Sequence, residues 1–439
     1  MTRLKTVGMI AAVGAAALTL AYCGGDTTTP EPAPVPDPAE PAEPAEPAEP
    51  TQPKGPLPAL LISQAQFVAK DGGGIKPGPA KLVIYRSDGK GNWFPEVLED
   101  PGSNVFHKAI GWRDGILTIA AGQNVAKGED PLPAQLRHWT ADGDSWKATT
   151  LYSKAWAGKF QRIRDFEFGD LDGDGTEEIA MATHDQGVVA VGTEKDGAWT
   201  VVEYDEKVDT FVHEIEIGDV DGDGKNEFYA TPSARNKASG ESQPGGVARY
   251  DFKGGKYVKT MVAEWKVSHA KEILVVDLNG DGKDELYVAR EGHVEGKGKD
   301  KKLIEPVKII RMDYADGKYT EVEVASIDDE MCRFLVPGDA NHDGKLDMVA
   351  AMKKAGLFLL TLKEDGTFES TVIDKKSGGF EHATHMADLN GDGKLEIYVA
   401  ADTQKQIRKY EWNGTSFARE LVAEIPPKHI TWNIQDAKL

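Results

Sequence analysis

Cysteine is nearly absent: the 439-residue chain holds two, Cys23 and Cys332, so no disulfide framework supports the fold. Positive charge is short as well, with 51 lysines and arginines against 72 acidic residues and a formal net charge of −21. A surface this negative repels a phosphate backbone, which argues against nucleic acid as a partner. There is no G-x-S-x-G, no H-E-x-x-H and no glycine-rich phosphate loop, so no nucleophile or zinc-hydrolase motif stands out. An apolar run at residues 7–20 follows Arg3 and Lys5 and is too short for an ordinary membrane-spanning helix.

What the chain has in quantity is one short acidic loop, present five times. The copies read D-L-D-G-D-G-T-E-E from Asp170, D-V-D-G-D-G-K-N-E from Asp219, D-L-N-G-D-G-K-D-E from Asp277, D-A-N-H-D-G-K-L-D from Asp339 and D-L-N-G-D-G-K-L-E from Asp388. Side-chain oxygens at loop positions 1, 3, 5 and 9, with a backbone carbonyl at position 7, define the candidate metal ligands. These are Asp170, Asp172, Asp174, Thr176 and Glu178; then Asp219, Asp221, Asp223, Lys225 and Glu227; then Asp277, Asn279, Asp281, Lys283 and Glu285. The last two sets are Asp339, Asn341, Asp343, Lys345 and Asp347, and Asp388, Asn390, Asp392, Lys394 and Glu396. Oxygen-only ligation in a tight curve suits a hard cation, and the expectation is about five structural Ca²⁺ ions. The flanks are strand-like, not EF-hand helices, and His342 falls at a non-ligand position expected to face solvent.

The loops start 49, 58, 62 and 49 residues apart, the spacing of a repeat protein. A second repeat accompanies them: seven tight turns, from Asp88-Gly89 to Asn413-Gly414, each followed by an aromatic residue and flanked by strand-like runs. The segment Ile110-Gly111-Trp112-Arg113-Asp114-Gly115-Ile116 stands where a sixth loop belongs and has lost its oxygens. His429-Ile430-Thr431-Trp432-Asn433-Ile434 and Ala59-Leu60-Leu61-Ile62-Ser63 read as two halves of one further unit. The predicted architecture is therefore all-β: a seven-bladed propeller over residues 59–439, closed by pairing of its N- and C-terminal strands.

The loops and their flanks, including Phe168-Gly169 before Asp170, resemble the FG-GAP and VCBS repeats of the integrin alpha-subunit propeller and of bacterial surface proteins. The resemblance implies that each acidic loop joins the innermost strand to the second on the lower face. The strand before each loop would then line the channel and open on the upper face. Residues 1–23, ending Leu20-Ala21-Tyr22-Cys23, resemble a bacterial lipoprotein signal with Cys23 as the lipidated residue. Residues 24–58, rich in Pro, Glu and Ala, read as an extended linker of about 3.1 Å per residue. The implied location is the cell envelope, lipid-anchored and extracytoplasmic, at the outer membrane or cell surface.

Six residues before each loop stands a cationic or titratable side chain: Arg164, His213, Lys271, Arg333 and His382. His107 and Lys108, and Lys428 and His429, fall near the equivalent places in the two remaining blades. Period-two alternation puts the ring on the same side as apolar neighbours such as Ile215 and Ile217, and directs it at the channel mouth. The ring is expected to bind an anionic ligand. A transition metal shared by His213, His382 and His429 is one alternative, and ion-pair scaffolding is another.

The sequence is read as a calcium-stabilised, surface-tethered, non-enzymatic binding module for an acidic polysaccharide or an extracytoplasmic protein. Two alternatives stand beside it: a polysaccharide lyase acting on acidic glycan, with a histidine or lysine as base, and a structural cell-surface scaffold.

Overall fold

The computed structural model describes residues 55–439 except 123–131, 158–159, 206, 208–209, 236–240 and 297–299. The signal segment, Cys23 and the linker up to residue 54 lie outside the described residues.

Seven antiparallel sheets, each built on four strands, stand around a common axis. Six are continuous in sequence and are called here blades 1 to 6: residues 103–154, 163–205, 210–265, 270–327, 332–374 and 384–424. Blade 7 joins the two ends of the chain. His429–Lys438 is its innermost strand and pairs with Pro58–Ala69, which pairs with Ala80–Ser87 and then Trp93–Asp100. Leu57 and Leu439 exchange backbone hydrogen bonds of 2.7 and 3.0 Å at the end of this seam. This is the closure expected from the two half-units.

Apolar residues fill the spaces between blades. Phe106 and Ile116 of blade 1 pack against Leu61, Leu82 and Ile84 of blade 7, all fully buried. The hairpin aromatics pin one blade to the preceding one: Trp93 meets Tyr398 at 6.0 Å, Trp199 meets Trp112 at 6.0 Å and Phe368 meets Tyr287 at 5.7 Å between ring centroids. In blade 1 the degenerate segment is a tight Arg113-Asp114 turn between Ser103–Trp112 and Gly115–Gly122, with no loop. The acidic loops of blades 2 to 6 join first to second strands, as the resemblance implies.

The inner strands depart from simple alternation. Six carry an extra residue where two residues oppose one on the neighbouring strand, with a second slip in blade 1 at Asn104. The residue passed over is His107 in blade 1, Arg164 in blade 2, Lys271 in blade 4, Arg333 in blade 5 and Trp432 in blade 7. In blade 3 the pair His213-Glu214 spans the slip, and Thr231 Oγ1 accepts both amides at 3.2 and 3.0 Å. The expected parity is thus corrected. Ile215 and Ile217 pack between blades, while Glu214 and Glu216 take the axial side beneath the ring.

Candidate functional site

The acidic loops fold through their own first residue. Asp170 accepts the amides of Gly173 and Gly175 at 2.8 and 3.0 Å, and Asp277 and Asp388 repeat the arrangement. Loop position 4 is left-handed in every copy, which glycine supplies four times and His342 once, at φ 57°. His342 does not face solvent only: its Nε2 donates to Leu395 O of blade 6 at 3.1 Å. The position-9 glutamates turn back, so that Glu178, Glu285 and Glu396 accept the amides of Leu171, Leu278 and Leu389 at 3.0, 3.0 and 3.2 Å. Burial and the neighbouring carboxylates hold these three above the usual range.

Four loops gather carboxylate oxygens within 4.8 Å of one another, in groups that could hold a divalent metal ion. They are Asp170, Asp172 and Glu178; Asp219, Asp221, Asp223 and Glu227; Asp277, Asp281 and Glu285; and Asp388, Asp392 and Glu396. Asp174 is outside its group; its carboxylate accepts from the Thr176 amide and hydroxyl. The blade 5 loop forms no such group among the described residues. Its ninth residue is Asp347, a shorter side chain whose Oδ2 is buried without a partner and whose pKa burial raises to about 6. Loop 219–227 differs again. Arg249 reaches into it from the third strand, contacting Asp221, Glu227 at 2.9 Å and Asp251 at 2.5 Å.

At the opposite end of the axis the bulges set the ring. Arg164 lies with its guanidinium 5.9 Å from the Trp432 ring centre and has no ion-pair partner among the described residues. Lys271 is buried and pairs with Glu291 at 3.1 Å; Arg333 is buried and pairs with Glu381. These partners belong to neighbouring elements and are not the acids next in sequence. His213 is 4% exposed and its Nε2 has no hydrogen-bond partner. Burial holds its pKa well below the usual value, with His184, Lys271, Arg164 and Arg333 adding charge repulsion. It is therefore a neutral imidazole among cations.

The structure brings four of the five predicted ring residues to the mouth. His382 is the exception. It is 0% exposed, with φ 37°, and its Nδ1 donates to Met352 O at 2.7 Å while Nε2 accepts from Ser377 at 2.7 Å. Its imidazole closes a turn. His429 hydrogen-bonds Pro427 O at the edge, so the trio His213, His382 and His429 does not assemble. In blade 7 the ring position belongs to Trp432 instead of Lys428 or His429, and in blade 1 to His107. Lys108 turns down the axis, 3.0 Å from Asp165 and in contact with Glu167.

Sequence reading missed two things here. The histidine neighbours of His213 are His184, at 5.0 Å between ring centroids, and His269, at 6.4 Å. Burial lowers them to about 3 and about 4, so both are neutral. Beneath the ring, Asp165, Glu167, Glu214, Glu216 and Glu272 make one half of the axial lining acidic, and burial among like charges raises Glu272 to about 8. Consecutive polar pairs within a buried strand, such as His213-Glu214 and Lys271-Glu272, are the signal that could have exposed the bulges. The two long connections, residues 232–246 and 291–306, meet beside the mouth, where their place between second and third strands puts them. Val294 donates to Ser242 Oγ at 2.9 Å, and with Lys271, Glu291 and Phe380 these arms border a cavity of about 280 Å³.

Comparison with known proteins places the repeat. The FG-GAP-like repeat family matches residues 277–350 and 339–399. No curated protein is significantly similar to the chain. Among solved structures, a "putative 6-phosphogluconolactonase" from Bacteroides fragilis is 15% identical with a TM-score of 0.53, over 88% of this chain and 99% of that one. A protein from Lactobacillus plantarum is 12% identical, with a TM-score of 0.54 over 86% and 98% of the two chains. A second "putative 6-phosphogluconolactonase", from Bacteroides uniformis, is 13% identical, with a TM-score of 0.51 over 86% and 99%. At these identities the likeness is one of fold. The non-enzymatic expectation is corrected at this point. The scaffold, matched over 86–88% of this chain, is one that chains described as lactonases also use, and this chain's mouth holds neutral imidazoles beside cations.

Proposed function

We propose that the upper mouth is the active site of an enzyme acting on an acidic glycan by β-elimination. The observation that carries this is His213: a buried, neutral imidazole whose Nε2 is unpartnered, set among Arg164, Lys271 and Arg333. Arg164, free of an ion pair among the described residues, takes the uronate carboxylate. Its charge acidifies the carbon next to that carboxylate, and His213 removes the proton there. The electron pair forms the new C=C bond as the neighbouring C–O bond breaks. Lys271, whose pKa is lowered by burial, donates a proton to the leaving oxygen. A bound carboxylate offsets the positive field around His213 and raises its basicity where it is needed.

The test is absorbance of the unsaturated uronate product with the wild-type chain and the His213→Gln variant. Turnover that vanishes in the variant supports the reading; turnover unaffected by it sinks the assignment. Hydrolysis of a phosphorylated sugar lactone is a second reading, favoured by the descriptions of two structures of like fold. It predicts acid release with no new absorbance.

Calcium belongs to the scaffold in this proposal. The four carboxylate groups fit a hard cation: burial and crowding of like charges raise their position-9 acids, and a bound divalent ion would offset that crowding. Such an ion would be held by loop oxygens at the end of the axis opposite the mouth and would supply stability alone. Attachment through lipidated Cys23, an envelope location outside the cytoplasm and an acidic polysaccharide partner complete the proposed setting.

A further inference from the structure

Next to Arg164, at the boundary of blades 7, 1 and 2, a second cavity opens on the upper face, with a volume of about 180 Å³. Its wall is mostly apolar, from Phe67, Val105 and Phe160, with Trp432 and His107 at its inner side. The two rings meet edge to face at 4.8 Å. Yet two residues that line it carry polar atoms with nothing to bond. Both ring nitrogens of His107, a residue 1% exposed, and Nε1 of Trp432 are buried and unpartnered.

We propose that this cavity is a subsite for one sugar ring, bound through its uncharged face and hydroxyls to Trp432 and His107. This rests on the reading of the mouth as an acidic-glycan site and names where the neighbouring residue of the chain sits. The volume corresponds to about six waters, the scale of one pyranose. A purely apolar guest would leave three buried polar atoms unsatisfied, which disfavours it. The cation in its wall, Arg162, is already held bidentately by Asp185 at 2.7 and 2.9 Å, which disfavours a second anion. A pyranose answers both halves of the wall. Its C–H face lies on an aromatic ring, and adjacent hydroxyls suit the one donor and one acceptor of a neutral imidazole plus the indole N–H. Arg164 stands between the cavity and the mouth, so one glycan would cover both.

The experiment is titration calorimetry of the full chain with two probes, trigalacturonate and its fully methyl-esterified form. Trp432→Ala should weaken both probes by at least about fivefold, whereas Arg164→Gln should weaken only the charged one. Unchanged affinity in Trp432→Ala, or no binding of either probe to the wild type, overturns the subsite. Weakening by Trp432→Ala with no effect of Arg164→Gln keeps the subsite and removes the mouth reading instead. Should Trp432→Ala fail to fold, as judged by its melting curve, the double variant Trp432→Phe/His107→Phe decides in the same way. It keeps the ring volume and deletes all three polar atoms.

Discussion

Asp165 reaches from blade 2 into blade 3, where its Oδ2 accepts the amide of Ile215 at 2.7 Å. Glu272 repeats the bond from blade 4 to blade 5, accepting the amide of Leu335 at 2.9 Å. Both amides lie just past a bulge, where the ladder to the second strand has slipped. The bulges thus free backbone donors that acids of the preceding blade collect, and the blades are stitched together at the height where the ring begins.

This stitch predicts a stability effect without a direct effect on the mouth. Asp165→Ala leaves the Ile215 amide unpaired and takes one of its two carboxylates from Lys108. A loss of about 2–4 kcal/mol is expected in urea unfolding. A variant as stable as the wild type would show that water replaces the bond.

Arg249 offers a test of how loop 219–227 is built. Its guanidinium is buried against Asp221, Glu227 and Asp251, and despite that contact burial raises Glu227 to about 8. Arg249→Met should destabilise the chelated protein by about 3–5 kcal/mol, the cost of a broken buried pair. Added calcium should recover part of that loss. Equal loss with and without calcium would mean that the ion does not bind this loop.

Removing calcium from the wild type should lower the melting temperature, because four loops then carry uncompensated carboxylates. Differential scanning calorimetry with and without excess chelator checks this. An unchanged midpoint would refute a structural role for the ion.

His382 should make stability depend on pH. Burial holds its pKa down at about 4, against about 6.5 in the unfolded chain. The stabilisation from the neutral ring is therefore fully present above about 6.5 and is lost as pH falls towards 4. The difference in stability between wild type and His382→Gln, followed by chemical denaturation, should shrink across that window. A difference independent of pH would rule the ring out as the titrating group.

The blade count and the ring closure were legible because both rest on repetition, which survives any error about a single residue. Four of the five carboxylate groups were legible for the same reason; Asp174 and the blade 5 loop that ends in Asp347 fall outside them. The composition of the axis was not. Ile215 and Ile217 alternate with Glu214 and Glu216, and alternation alone does not say which set faces inward once one residue is inserted above them. His382 shows the complementary failure. It occupies the ring position in sequence, but its backbone turns left-handed and delivers the imidazole to Met352 and Ser377.

The seam of blade 7 has a consequence for the order of events. Gln64 and Thr431 share a hydrogen bond across 367 residues of chain, so the ring is sealed by a strand synthesised after all its other strands. Until that strand arrives, Pro58–Ala69 presents an unsatisfied edge and the inner face of blade 1 lacks its neighbour. Loop closure over that length is entropically demanding. A growing chain would therefore remain an open arc, prone to pairing with other copies, and would become a protected circle in one late step.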